Sequence, residues 1–247
     1  MKLTMTWLVP LFLMAAGCAS VESTRPPEVR AWGSMREVLR EGRTEGRVVL
    51  DRILGEHSIA VGALEGLGAE ITVDGGVLHL AEASAGTQGP EARERDASAG
   101  ERATLLLVAD VSVWDELSVP ADSDLAAVEE VLRKAARKRG WAIGEPFPFR
   151  VEGVAEHVEL HVLNGSCPIA NPSGPAPWRA SLEGAEIVLV GFFAENAAGK
   201  ITHHNQNSHT HVVVPENKIS GHLDRVRLRA GARLFLPSSS QESKDSQ

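Results

Sequence analysis

Three histidines, His209, His211 and His222, are the residues of this chain best spaced for chemistry. They lie in Ile201–Leu223, ITHHNQNSHTHVVVPENKISGHL, which holds five of the nine histidines. On an extended strand positions i and i+2 share a face, so His209 and His211 project together. Pro215–Glu216–Asn217–Lys218 reads as a turn, and a strand folding back from it brings His222 beside them. Three imidazoles converging on one point leave a fourth position open, as catalytic zinc favours. Copper, nickel and iron also accept such a set. An isolated H-x-H is more often a polar loop without a ligand; the third histidine on the returning strand shifts that balance. His203 and His204 would point to opposite faces of a strand and are assigned to loop.

A β-rich framework must carry these side chains. Ser58–Leu64, Ala69–Val73 and Val77–Ala81 are short β-type runs, and Asp74–Gly75–Gly76 between the last two is a hairpin signal. Ser84–Arg102 is polar and glycine-rich and reads as a long loop, followed by an apolar strand over Ala103–Val113. Leu125–Arg139 is the clearest helix, with Leu125, Val128, Val131, Leu132 and Ala135 on one face, Asp122 or Ser123 as N-cap and Gly140 at its end. A short helix is expected within Glu28–Leu39. Phe147–Val151 and His157–Leu163 read as two strands around Glu152–Gly153, and Ala185–Phe193, His209–Val214, Gly221–Leu228 and Arg233–Leu236 as further strands. The fold class is α+β: β-rich, with two packed sheet-based halves and one main helix. The expected halves are residues 46–165 (α+β) and 178–237 (β, carrying the histidines), joined by the Pro/Gly-rich connection Asn164–Trp178.

The ends are expected to lie outside the fold. Residues 1–17 read as an export signal, with Lys2, an apolar run from Leu3 to Met14, and Ala15–Ala16–Gly17 before Cys18. The small residues before Cys18 resemble a bacterial lipobox, which implies lipidation of Cys18 and anchoring to the cell envelope. Residues 18–45 would be a tether with the short helix, and 238–247 a solvated tail. The membrane would thus be touched only through the lipid. With Cys18 lipidated, Cys167 has no partner for an intramolecular disulfide. The net charge of −8 argues against a nucleic-acid partner. Homodimerisation is compatible with the chain and is not specified by it.

Several separated stretches resemble one family, α-acetolactate decarboxylase. His57–Leu80, HSIAVGALEGLGAEITVDGGVLHL, is similar to the family's glycine-rich strand, L-x-G-E and D-G hairpin. Pro146–Val158, PFPFRVEGVAEHV, resembles its F-x-[AF]-x-R-[IV]-[DE]-G strand pair, and Gly191–Leu223 its G-F segment followed by H-x-H-x10-H. The resemblance spans about residues 46–237. It implies a zinc ion on His209, His211 and His222, an active-site Glu70, and Arg150 facing the substrate carboxylate or the developing intermediate. It also implies conversion of 2-acetolactate, a 2-hydroxy-3-oxo acid, to acetoin and carbon dioxide. Three departures stand out: Ala63 where the family has Thr, His161–Val162 where it has Arg-Thr, and no counterpart of its C-terminal glutamate except Glu242 in the tail.

The residue types suit that reaction. Loss of carbon dioxide leaves electrons on the α-carbon, and a Lewis acid on the neighbouring oxygens accepts them. Neutral imidazoles leave the ion its full charge, a guanidinium can orient a carboxylate bidentately, and Glu70 is a candidate proton source. The rival reading is an envelope lipoprotein that binds a metal or small ligand without chemistry. A third is metal-assisted chemistry on another substrate.

Overall fold

The computed structural model describes residues 25–87, 89–202 and 206–238, so Cys18, His203, His204 and Glu242 lie outside the described residues. Among the described residues, alternating and apolar runs become fourteen strands in two antiparallel sheets. The first sheet contains β1 (Arg30–Trp32), β2 (Val48–Val49), β3 (Ser58–Leu64), β4 (Glu70–Asp74), β5 (Val77–Gly86), β6 (Gly89–Arg95) and β7 (Arg102–Asp110). Its order is β1-β7-β3-β4-β5-β6, with β2 also on β7. The second contains β8 (Trp114–Ser118), β9 (Phe147–Val162), β10 (Trp178–Glu183), β11 (Glu186–Phe193), β12 (Ser208–Val214), β13 (Ile219–Leu228) and β14 (Arg233–Pro237).

β9 closes the second sheet on itself. Its first half, Phe147 to Val154, pairs with β11, and its second half, Ala155 to His161, pairs with β13. Because β11 also pairs with β12, and β12 with β13, these four strands form a ring. The inward set of β9, with Phe147, Phe149, Val151, Val158 and Leu160, packs in a core shared with α2 (Leu125–Lys138) through Val128, Leu132 and Ala136. Burying each large apolar side chain stabilises the fold by roughly 1.5–3 kcal/mol.

The two sheets meet where Ile59, Val61, Leu107 and Ala109 pack on Val190 and Phe192. On the other face of the first sheet, Ala60, Ile71, Val73, Leu80 and Leu106 pack with Leu50 and Trp32. Strand period two therefore turns Glu70, Thr72 and Asp74 of β4 toward the second sheet.

Several expectations change. Residues 84–102 are not one loop, because β5 runs to Gly86 and β6 pairs with it, supported by ion pairs of Arg95 with Glu82 and Glu101. Cross-strand charge pairs hold this hairpin where apolar alternation is weak. Phe147–Val162 is one strand, since Glu152–Gly153 continues the ladder opposite Val188 and Ile187. The N-cap of α2 is Asp124, whose carboxylate accepts from Ala127 N at 2.9 Å, while Ser123 donates to Pro120 O. The first helix, α1, is only Met35–Leu39, capped by Ser34, and Trp32 belongs to β1. The sheets do not divide the chain at residues 164–178, because β8, α2 and β9 precede that connection and build the second sheet.

Candidate metal centre

Ser208–Val214 is buried throughout, and its alternation sends His209 and His211 to the face that meets the first sheet. A 3₁₀ turn at Pro215–Asn217 and Lys218 in the left-handed region (φ 49°) return the chain, so His222 stands opposite His211 in register. Gly221 permits the close approach beside it, since a Cβ there would lie 2.6 Å from His161 O. The three ring centroids are 5.1 to 5.5 Å apart, and one ligand atom from each ring lies within 4.8 Å of the others. All three are buried, at 2%, 0% and 7% exposure.

Neighbouring groups hold the rings. Thr72 Oγ1 lies 3.0 Å from His211 Nδ1, and with Nδ1 as the protonated nitrogen this leaves Nε2 as the basic one. Buried Glu129 of α2 accepts from Asn207 N, Asn207 Nδ2 and Ser208 Oγ, the last at 2.6 Å, and so pins the entry to β12. The donor set fits a divalent ion. Ions such as zinc are held by imidazole nitrogens at about 2.0–2.1 Å, and three convergent, buried imidazoles, with the second nitrogen of His211 held by Thr72, meet that requirement.

Glu70 is buried beside them. Its Oε1 accepts from Leu163 N at 3.3 Å, and its Oε2 lies 3.7 Å from His211 Nε2. Burial pushes its carboxyl up to about 7, against the opposing influence of nearby His161 and the Leu163 N–H, with Asp224 adding to the rise. A cavity of about 290 Å³ opens here, lined by Glu70, His209, His222, His161, Arg179 and Asp224 on its polar side and by Met35, Leu39, Ala63, Leu105, Leu163 and Cys167 on its apolar side.

Arg150 is not among the residues that line the cavity. It stands in the same register row as His211, two strands away through Val190, and its guanidinium clamps both oxygens of Asp74 and one of Glu152. An ion pair with neighbouring Glu152 is present, and Asp74 makes Arg150 a tie between sheets. The structure therefore gathers His209, His211, His222 and Glu70 and leaves Arg150 outside the group.

Sequence reasoning passed over Thr72, Glu129, Arg179 and Asp224, and it gave His161 no part in the site. His161 Nδ1 lies 2.7 Å from Asp224 Oδ1, and its ring packs on His222 at 4.9 Å. Arg179 Nη1 donates to Asp224 Oδ2 at 2.6 Å. The signal available was period two: His161 falls on the face of β9 shared with His157, though only the register showed which of them meets His222. His157 instead pairs with Glu159 and Glu183 at the surface.

No family model matches the chain, and no curated protein does. Solved structures do. The chain is similar to α-acetolactate decarboxylase from Bacillus subtilis strain 168, with TM-score 0.63, 14% identity and 85% of each chain covered. Acetolactate decarboxylase from Bacillus subtilis subspecies spizizenii gives 0.64 at 14% identity, covering 85% of this chain and 86% of that one. A Staphylococcus aureus protein of unknown function similar to α-acetolactate decarboxylase also gives 0.64 at 14% identity, with 85% of each covered. At that identity the likeness establishes a shared fold, the β-rich two-sheet arrangement with one main helix.

Proposed function

We propose that this chain is a zinc-dependent carboxy-lyase that decarboxylates 2-acetolactate, or a related 2-hydroxy-3-oxo acid, to the corresponding hydroxyketone and carbon dioxide. One observation carries the reading: a buried carboxyl raised to about 7 stands 3.7 Å from one of three convergent histidines at a cavity of small-molecule size. The exported, lipid-anchored location expected from residues 1–18 is part of the same proposal.

When bound on His209, His211 and His222, zinc supplies Lewis acidity toward the ketone and hydroxyl oxygens of the substrate. The bond to the carboxylate carbon breaks, carbon dioxide departs, and its electron pair remains on the α-carbon, which must take a proton. Glu70 is poised to give it, because burial keeps a large share of its carboxyl protonated near neutrality. The Leu163 N–H fixes one oxygen of that carboxyl, and Thr72 fixes the His211 ring. The apolar side of the cavity limits water around the charge that develops.

A binding protein without chemistry is favoured by a different observation. Arg150, which the resemblance brings to the substrate, is held by Asp74 and Glu152 and does not line the cavity. One experiment separates the two. Zinc-replete protein is assayed for acetoin from 2-acetolactate, with metal content measured on the same sample, beside His211→Ala. We expect about one zinc per chain and acetoin release, both lost in the variant. Zinc without acetoin would leave the binding reading standing.

A further inference from the structure

One register row crosses the second sheet on the cavity side: Arg179 of β10, His161 of β9, His222 of β13 and His211 of β12. Neighbours in such a row share a face and are spaced about 4.8 Å apart, so Arg179 starts two strands, roughly 10 Å, from His222. Asp224 sits at a register shift in β13 and holds both His161 and Arg179. Among the described residues that line the cavity, Arg179 is the one lysine or arginine, while Glu70 and Asp224 are acids. An anionic ligand therefore has one side chain of permanent positive charge to meet, and that side chain is 60% exposed at the rim. Asp224 engages one nitrogen of a group with five N–H donors, which leaves capacity for a carboxylate.

The opposite wall has another character. Met35 and Leu39 of α1, with Ala63, Leu67, Leu105, Leu163 and Cys167, form a separate apolar cluster that faces the cavity. A methyl group would cover a small fraction of it. The whole space, about 290 Å³, corresponds to roughly ten waters.

We infer that Arg179, positioned by Asp224, is the carboxylate-binding residue of this cavity, and that among 2-hydroxy acids it holds those with an alkyl tail larger than methyl more tightly than those with methyl alone. The carboxylate then lies at the rim, the hydroxyl oxygen toward the histidines, and the tail against Met35, Leu39 and Leu105. This rests on the proposed function only in taking the histidines as the oxygen-binding, metal-holding end.

The test is equilibrium binding by calorimetry to zinc-loaded full-length protein, using lactate, 2-hydroxy-4-methylpentanoate and the amide of the latter. Wild type should bind the branched acid roughly ten-fold or more tighter than lactate, from its added buried carbons. Arg179→Gln should weaken the branched acid by about ten- to hundred-fold, with Arg179→Lys between them, while zinc content and amide binding stay as in wild type. Equal affinity of wild type and Arg179→Gln for the acid, no preference over lactate, or no binding of either acid by wild type would each overturn the inference. Arg179-dependent binding without acetoin release sinks decarboxylation alone. Acetoin release with acid binding indifferent to Arg179 sinks the inference alone.

Discussion

Glu70 illustrates how burial converts an ordinary acid into a chemical group. In the unfolded chain its carboxyl titrates at the ordinary glutamate value of 4.5, and in the fold burial raises it to about 7. The folded state therefore holds the proton more tightly. Its stability is undiminished below pH 4.5 and falls as pH rises through about 7, where the carboxylate must ionise in a buried place. Replacing it by Gln removes that cost. In metal-free protein Glu70→Gln should match wild type at pH 4.5 and exceed it by about 3 kcal/mol at pH 8.5, seen as a rise in Tm of several degrees. Thermal melts across that range check it, and a difference independent of pH would refute the assignment. Thr72 and Asp74, at period two along the same strand, serve different ends: one meets the ring of His211 and the other the guanidinium of Arg150.

β12 depends on α2 for its starting position. Glu129 lies on the helix face that also buries Val128 and Leu132, and its carboxylate receives the backbone and side chain of Asn207 and the hydroxyl of Ser208. The next residue is His209. Glu129→Ala keeps a good helix former but removes charged hydrogen bonds from a buried place, at a cost of about 2 kcal/mol. Groups that orient metal ligands are typically worth ten- to hundred-fold in metal affinity, so zinc affinity should fall about ten-fold. Competition with a chromophoric chelator measures this, with circular dichroism to confirm the helix. Unchanged affinity would mean that β12 is held in place by its ladder with β11 and β13 alone.

The site as a whole draws on both sheets, since β4 supplies Glu70 and Thr72 and β9, β10, β12 and β13 supply His161, Arg179, the three convergent histidines and Asp224. Metal binding should therefore stabilise the entire molecule. At free zinc a hundred-fold above Kd the gain is about 2.7 kcal/mol, and for a chain of this size Tm should rise by roughly 5–10 °C. Scanning calorimetry with and without a chelator reads the increment directly, and a Tm insensitive to zinc would argue against ligation by the folded state. Arg150 belongs to this level too. The resemblance set it against a substrate, whereas the fold uses it to bind the first sheet to the second through Asp74.

Local pattern was enough for much of this. The period-two spacing of His209 and His211, the Asp-Gly-Gly hairpin, the apolar face of α2 and most strands of the second sheet are properties of neighbouring residues, so they could be read from the chain. The hairpin of β5 and β6 was missed because charge pairs across strands, rather than apolar alternation, hold it. His222 was legible only because a short turn links its strand to β12. The rest of the site was beyond local reading. Glu70 lies 141 positions before His211, and Arg179 gains its place from registers between β10, β9 and β13. Strand pairing over such separations depends on which faces bury together across the whole molecule, and no window of sequence contains that information. Chain chemistry nominated the three histidines; only the closing of the second sheet on β9 decided that Arg179, and not Arg150, lines the cavity beside them.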